Sequence, residues 1–388
     1  MHLAPSHNWK VFGEMYTAPT RSITDLLRSA AWVKHAIVGR VRPDGDQGRD
    51  QAVLEKTESE VAAGKALGPY TMPELDDELG VHWLPAPRVG LPQGEGVRPI
   101  DDFSIYGHNG SSETWESPAS GGVDEIAGII KCYMEAVAKG YVEMQYEDGS
   151  SDRACLHNDY AVAGGACLVG RTLDLEKAYK TLAPPPAFKS LMVVALWHPE
   201  RRQVAVYRQL AMPFGARNSV FSFAGFGAAL HAICTVLFRL VSSQFVDDFT
   251  QVTTALDIEA RSCMEAVLDL LGWKYKESGD KALPFQQVFP SLGVLFDCTQ
   301  AISGRLEIKD KPGRVEQVLE ILSAAAEKGQ LTAPAAESLR GKLQYTRSQT
   351  FGGAGAVGLQ ALGSYTQSGP RRCWSLAMIV DFWAAHFA

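Results

Sequence analysis

Ser243–Val252, reading SQFVDDFTQV, sets two adjacent aspartates between two short runs of β-forming residues. Phe245, Val246, Phe249, Thr250 and Val252 favour extended backbone on either side of the acids. A carboxylate beside a buried strand is costly unless it is paired or binds a cation. Upstream, Cys167–Leu173 (CLVGRTL) is mostly apolar, reads as a second strand and runs into Asp174. Laid side by side, the two strands would gather Asp174, Asp247 and Asp248. Like charges that close repel and raise each other's pKa unless divalent cations neutralise them. Hard oxygen ligands with open positions suit Mg²⁺, which keeps waters and takes substrate phosphates. Each piece alone has a plainer reading: an Asp-Asp pair is usually a turn or a cap, and LDLEKAY (Leu173–Tyr179) could open an ordinary helix.

Outward from this pair the pattern is mixed. Val89–Ile100 reads as a hairpin with a Gly-rich tip, and Leu191–Trp197 with Gln203–Leu210 as another. Asp124 is expected to cap a helix on Ile126, Ile129, Ile130, Met134 and Val137 that Gly140 stops. Gln51–Ala66 has helical patterning, Asp257–Leu271 reads as an amphipathic helix ending at Gly272, and Gln287–Phe296 reads as a strand. Helices follow beyond Asp310, marked by Val315, Val318, Leu319 and Leu322 and then by Leu339 and Leu343. Arg42–Asp50 (RPDGDQGRD) reads as a loop or linker. The order is α/β to about residue 297 and helical after it, which predicts an α+β fold. Val220–Phe238 lacks Asp, Glu, Lys and Arg and matches a bilayer crossing in length. A buried core helix is the expectation, because a span there would separate the flanking motifs.

The 388 residues suffice for a large core, and 46% hydrophobic with 21% charged residues excludes disorder as the default. A net charge of -7 is unfavourable for a nucleic-acid binder, so any such site must be a local basic track. The seven cysteines show no CxxC spacing, which argues against zinc, and with no signal-peptide pattern they favour a reducing, intracellular setting.

Taken together, the motif order from about Trp83 to Leu343 resembles the reverse transcriptases of retroelements. Arg98-Pro99-Ile100-Asp101-Asp102-Phe103 resembles the fingers strand whose arginine meets the incoming nucleotide. Asp174-Leu175-Glu176-Lys177-Ala178-Tyr179 resembles the first catalytic motif. Met212-Pro213-Phe214-Gly215-Ala216-Arg217-Asn218 resembles the motif that supports template and nucleotide. Phe245-Val246-Asp247-Asp248 resembles the YxDD box, and Lys281 before Leu292-Gly293 resembles the later lysine and its turn. The PFG string is similar to that of long-terminal-repeat and DIRS-type elements, and GGVDEI and RPIDDFS resemble reading frames of dinoflagellates. The departures are Phe245 in place of Tyr, and a hairpin tip, Pro92-Gln93-Gly94-Glu95, without the usual lysines, for which Arg88 is the candidate substitute.

The resemblance implies a right-hand polymerase: an unassigned segment over 1–50, fingers and palm over 51–297, and a helical thumb or connection over 298–388. It implies RNA-directed DNA synthesis from dNTPs on an RNA or DNA primer–template, with Mg²⁺ held by Asp174, Asp247 and Asp248. Lys281 would assist the leaving pyrophosphate, and Arg98, Tyr179, Phe214 and Gly215 would bind the nucleotide. Tyr179 beneath the sugar would reject a 2′-hydroxyl, which disfavours an RNA-templated RNA polymerase. Lys309, Lys311, Arg314, Arg340, Lys342 and Arg347 could track a duplex backbone. No second set of spaced carboxylates follows, so RNase H activity is not expected, nor is a membrane partner. The alternative is a decayed or truncated retroelement remnant that binds nucleic acid or partners without catalysis.

Overall fold

The computed structural model describes residues 12–94, 96–118, 121–146, 148–161, 167–257, 260–279, 282–310, 313–347, 358–363, 378, 379, 381 and 383. The fold is mixed α+β. The chain forms two compact units, one from Ser120–Asp174 and His231–Ala388 and one from Pro5–Ala119 and Leu175–Leu230.

The first unit is built on a three-stranded antiparallel sheet in which Asp248–Thr254 lies between Ser242–Phe245 and Leu168–Asp174. The central strand is buried along Phe249–Thr254, so its β-branched and aromatic residues pair on both sides. Helix Val123–Lys139 covers the sheet with Val123, Ile126, Ala127 and Ile130, which meet Leu168, Val252, Phe289 and Phe296 in one apolar cluster. Its N-cap is Gly122, and Asp124 sits in the first turn instead of capping, where its charge still suits the helix dipole. Gly140 ends the helix in the left-handed conformation, φ +75°.

A second three-stranded sheet, Val288–Ser291, Val294–Asp297 and Glu307–Asp310, packs against Leu168–Asp174 through a bridge between Gly170 and Gln286. A Cβ on Gly170 would lie 2.3 Å from the Phe289 ring, so glycine is required there. The single strand expected over Gln287–Phe296 is a hairpin. Leu292 and Gly293, at φ +46° and +74°, turn the chain between its two strands. Helices Arg314–Lys328 and Ala333–Arg347 follow, sharing a core of Val318, Leu322, Ala336, Leu339 and Leu343.

The second unit carries a five-stranded mixed sheet in the order Ala66–Tyr70, Gln203–Gln209, Val193–His198, Pro85–Gln93, Gly96–Asp101. Its one parallel pair aligns Pro85–Pro87 with Val193–Ala195. Helix Gln47–Ala62 packs on it through Val53 and Leu54, against Ala86, Val194, Leu196 and Tyr207. Asp46 caps that helix by accepting from the N–H groups of Gly48 and Arg49, so the stretch expected to be linker ends as a helix start. An unanticipated helix, Ile23–Val38, is capped by Ser22 and buries Lys34, whose ammonium meets Asp76, the Val81 carbonyl and the Trp83 ring.

The apolar segment near Val220 forms helix Arg217–Ala232, widening into a π-helical turn over Ile233–Leu237. Burial is less complete than expected. Phe223, Ala224, Gly227, Leu230 and Cys234 are buried, but Phe226, Val236, Leu237 and Phe238 are exposed. Among the described residues it is the one helix long and apolar enough to cross a membrane.

Candidate active site

Asp174 stands directly opposite Asp248 in the antiparallel register, with Leu173 opposite Phe249 and Thr172 opposite Thr250. Residues directly opposed in such a pair present their side chains on the same face. Asp174 is buried at 8% exposure, whereas Asp247 and Asp248 are partly exposed. One carboxylate is therefore fixed inside the sheet while its partners reach toward solvent.

Asp247 lies in a two-residue turn closed by the pair Phe245 and Asp248. The first turn residue, Val246, has φ +54°. A β-branched residue in the left-handed region is strained, at a cost of about 1–3 kcal/mol. The turn is held in place by Gln244, a buried side chain whose amide donates to the Val246 carbonyl at 2.7 Å. The strand before the turn is braced along its length. The Gly121 N–H donates to the Gln244 carbonyl at 2.8 Å, Ser243 donates to Glu125 Oε2 at 3.0 Å, and His231 Nε2 lies 2.8 Å from the Ser242 carbonyl.

On the far side of the sheet the Lys276 N–H donates to the Asp174 carbonyl at 3.0 Å. Arg171, three residues before Asp174, is buried and donates to Gln251 Oε1 and Glu265 Oε1, each at 2.9 Å. Thr172 donates to the Pro290 carbonyl at 2.8 Å. The strand end that carries Asp174 is thus tied to four neighbouring segments.

The donors suit a hard cation in kind, and two of them share a face. Among the described residues no three His, Cys, Asp or Glu side chains form a ready metal cage. Asp174, Asp247 and Asp248, expected to hold the metal together, are thus not gathered into one cage in this structure. Lys281 lies outside the described residues.

The four expected nucleotide-binding residues all belong to the second unit, and three of them meet. The Tyr179 and Phe214 rings stand edge to face at 5.2 Å, and the Arg98 guanidinium lies 5.1 Å above the Phe214 ring. Phe223 closes the cluster from behind Tyr179 at 5.5 Å. Gly215 has φ +95°, and a Cβ there would fall 2.0 Å from the Asp101 carbonyl oxygen, so only glycine fits. Asn109, which the sequence did not single out, pins the loop. It donates to the Gly215 carbonyl at 2.9 Å and accepts from the Arg217 N–H at 2.8 Å.

Arg98 is exposed, and neither neighbouring aspartate is set against it as an ion pair. Asp101 receives Arg88 through two bonds of 2.6 and 3.1 Å, and Asp102 accepts from the Ser104 and Ile105 N–H groups. Arg88 is thereby corrected as a substitute for the tip lysines: its side chain is 2% exposed and also bound to Glu60 and Thr57. Of the expected duplex-tracking cations, Lys309, on the strand Glu307–Asp310, pairs with Asp297 and Glu307, Arg314 pairs with Asp310, and Lys342 donates to Gln317. Lys311 and the Arg347 side chain lie outside the described residues.

No family model and no curated protein matches this sequence. Solved structures do match. Two structures of a foamy viral protease-reverse transcriptase in complex with double-stranded DNA, one of them of a dRH form, align with TM-score 0.51 and 12% identity. The alignments cover 89% of this chain, which spans 50% and 59% of those chains. At that identity the likeness concerns the fold, which is reverse-transcriptase-like.

Proposed function

We propose that the chain is an RNA-directed DNA polymerase that joins dNTPs to the 3′-hydroxyl of a primer on an RNA or DNA template. One observation carries this reading: Asp174 and Asp248 are directly opposed across the sheet, with Asp247 at the adjoining turn. Asp174, Asp247 and Asp248 would hold Mg²⁺, which when bound supplies the positive charge for activating the hydroxyl and for easing departure of pyrophosphate. The protein's share is to aim these carboxylates, and the braced, strained turn does so before substrate arrives.

The nucleotide would be recognised by the second unit. Arg98, exposed and steadied on the Phe214 ring, offers a planar fork to phosphate. Tyr179, held between Phe214 and Phe223, presents a ring that would collide with a 2′-hydroxyl and so select deoxynucleotides. The glycine at 215 would let backbone approach the substrate. Lys281 is proposed as the proton donor to pyrophosphate. Fingers, palm and thumb are the arrangement that this reading implies, and the double-stranded DNA of the foamy viral complexes supports a nucleic-acid duplex as partner.

The test is primer extension on an RNA template with Mg²⁺, comparing dNTPs with NTPs. Incorporation of dNTPs that Asp174→Asn abolishes, in a variant that still melts cooperatively, supports the reading. Preferential use of NTPs would replace it with an RNA polymerase. A second reading, a nucleic-acid binder without catalysis, is favoured by the buried Arg88 and the lysine-free hairpin tip. Retention of labelled primer–template without extension would select it.

A further inference from the structure

The second unit gathers four charged side chains that the proposed chemistry does not use, Arg88, Lys180 and Asp101 buried and Glu60 partly buried. Arg88 and Lys180 each have side chains 2% exposed, and they share one oxygen, Glu60 Oε2, at 3.0 and 3.1 Å. Arg88 also grips Asp101 through two bonds, and Lys180 Nζ donates to Gln209 Oε1 at 2.7 Å. Two cations and two carboxylates balance. Asp101 is committed to Arg88, so Glu60 is the carboxylate that meets Lys180. Burial alone would raise the Glu60 pKa, but the Arg88 and Lys180 charges outweigh it and hold the carboxyl below its usual range. Burial and the nearby Arg88 pull Lys180 down, and Glu60 works against them.

Each arm of this hub ends on a segment that carries an expected nucleotide contact. Lys180 follows Tyr179 in the short helical turn Ala178–Thr181. Asp101 ends the strand that bears Arg98, and its carbonyl sits against Gly215. Gln209 ends the strand that leads into Met212–Gly215. The partners lie far apart in sequence, 28 residues for Arg88 and 120 for Lys180, so Glu60 ties together segments that local structure does not.

We propose that Glu60 is a positioning residue for nucleotide recognition: its carboxylate, shared by Arg88 and Lys180, fixes Tyr179 and the Arg98 strand around Phe214. This rests on the polymerase reading for its functional part, while the structural coupling stands without it. Removing the Glu60 charge leaves Lys180 buried with only an amide to meet it, and a buried uncompensated charge moves or drags its segment.

Three proteins test it: Glu60→Gln, Lys180→Met, and the double variant, which restores the balance of one cation and one carboxylate. Each carries 3-fluorotyrosine at position 179, and its fluorine resonance and primer-extension kinetics are recorded. In Glu60→Gln the resonance shifts or broadens and the dNTP KM rises about tenfold, with primer–template Kd changed less than about twofold. Rejection of NTPs weakens in step. In the double variant the resonance and KM return toward wild type. A Glu60→Gln protein whose resonance and dNTP KM both match wild type overturns the proposal. So does a KM and Kd that worsen together without rescue, which marks general destabilisation. If wild type extends no primer, the polymerase reading fails, and the resonance alone still decides whether Glu60 positions Tyr179.

Discussion

Among the hairpins of this protein that turn through two-residue loops with a left-handed first residue, two fill that position in opposite ways. The hairpin of Pro85–Gln93 and Gly96–Asp101 uses Gly94 at φ +59°. The hairpin of Ser242–Phe245 and Asp248–Thr254 uses Val246 at φ +54°. Glycine adopts this conformation without steric cost, so the first turn forms from local preference. Valine does not, and its turn persists because Gln244 and the strand braces impose it. The first tip is exposed and lacks cations, while the second carries Asp247. Of these two turns the strained one carries Asp247 and the relaxed one is exposed; strain alone does not mark a site, since Leu292 at φ +46° also fills a hairpin turn.

The comparison is sharpened most by removing a carboxylate. Asp247→Asn is expected to lower primer extension by about a thousandfold, ~4 kcal/mol in the barrier, while the melting temperature barely moves. Rate assays beside calorimetry check both parts. On the other hairpin the largest effect expected is smaller: Arg98→Ala raises the dNTP KM by about tenfold through loss of a charge-assisted phosphate contact. Steady-state kinetics at fixed primer–template reads it.

Exchanging the turn residues tests the strain directly. Gly94→Val should cost about 1–2 kcal/mol in denaturant unfolding and leave extension nearly intact. Val246→Gly should leave stability level or raise it by up to about 1 kcal/mol, yet slow extension, because the turn no longer aims Asp247. If both variants lose stability and keep activity, the asymmetry between the hairpins is wrong. The smallest effect belongs to Gln93→Lys, a cation at the exposed tip. It should tighten dNTP binding by about threefold at low salt and lose the gain at high salt.

Much of the framework was legible because it rests on local patterns. Alternation and β-branched residues located the strands around Asp174 and Asp248, and Gly140 and Gly272 marked helix ends that the structure confirms. The Arg98 and Phe214 motifs do meet, as do Phe214 and Tyr179. What escaped the sequence depends on distant partners. Ile23–Val38 lies in the segment left unassigned from sequence, and the burial of its Lys34 makes sense only beside Asp76 and Trp83. Arg88 looked available until Asp101 and Glu60 were seen to hold it. Residue pattern alone reads one strand over Gln287–Phe296 where a hairpin forms, while the resemblance marks Leu292-Gly293 as a turn. Asn109 gave no periodic or motif signal, since its role is two hydrogen bonds to a loop more than a hundred residues away.

The central claim is that the opposed aspartates and the strained turn form a working polymerase site. Single-turnover primer extension on an RNA template, with dNTPs and Mg²⁺, tests it most directly when wild type and Asp247→Asn are run at equal folded concentration. The account predicts templated extension by wild type and none above background by the variant. Equal extension by both, or none by a folded wild type that still binds primer–template, would contradict it.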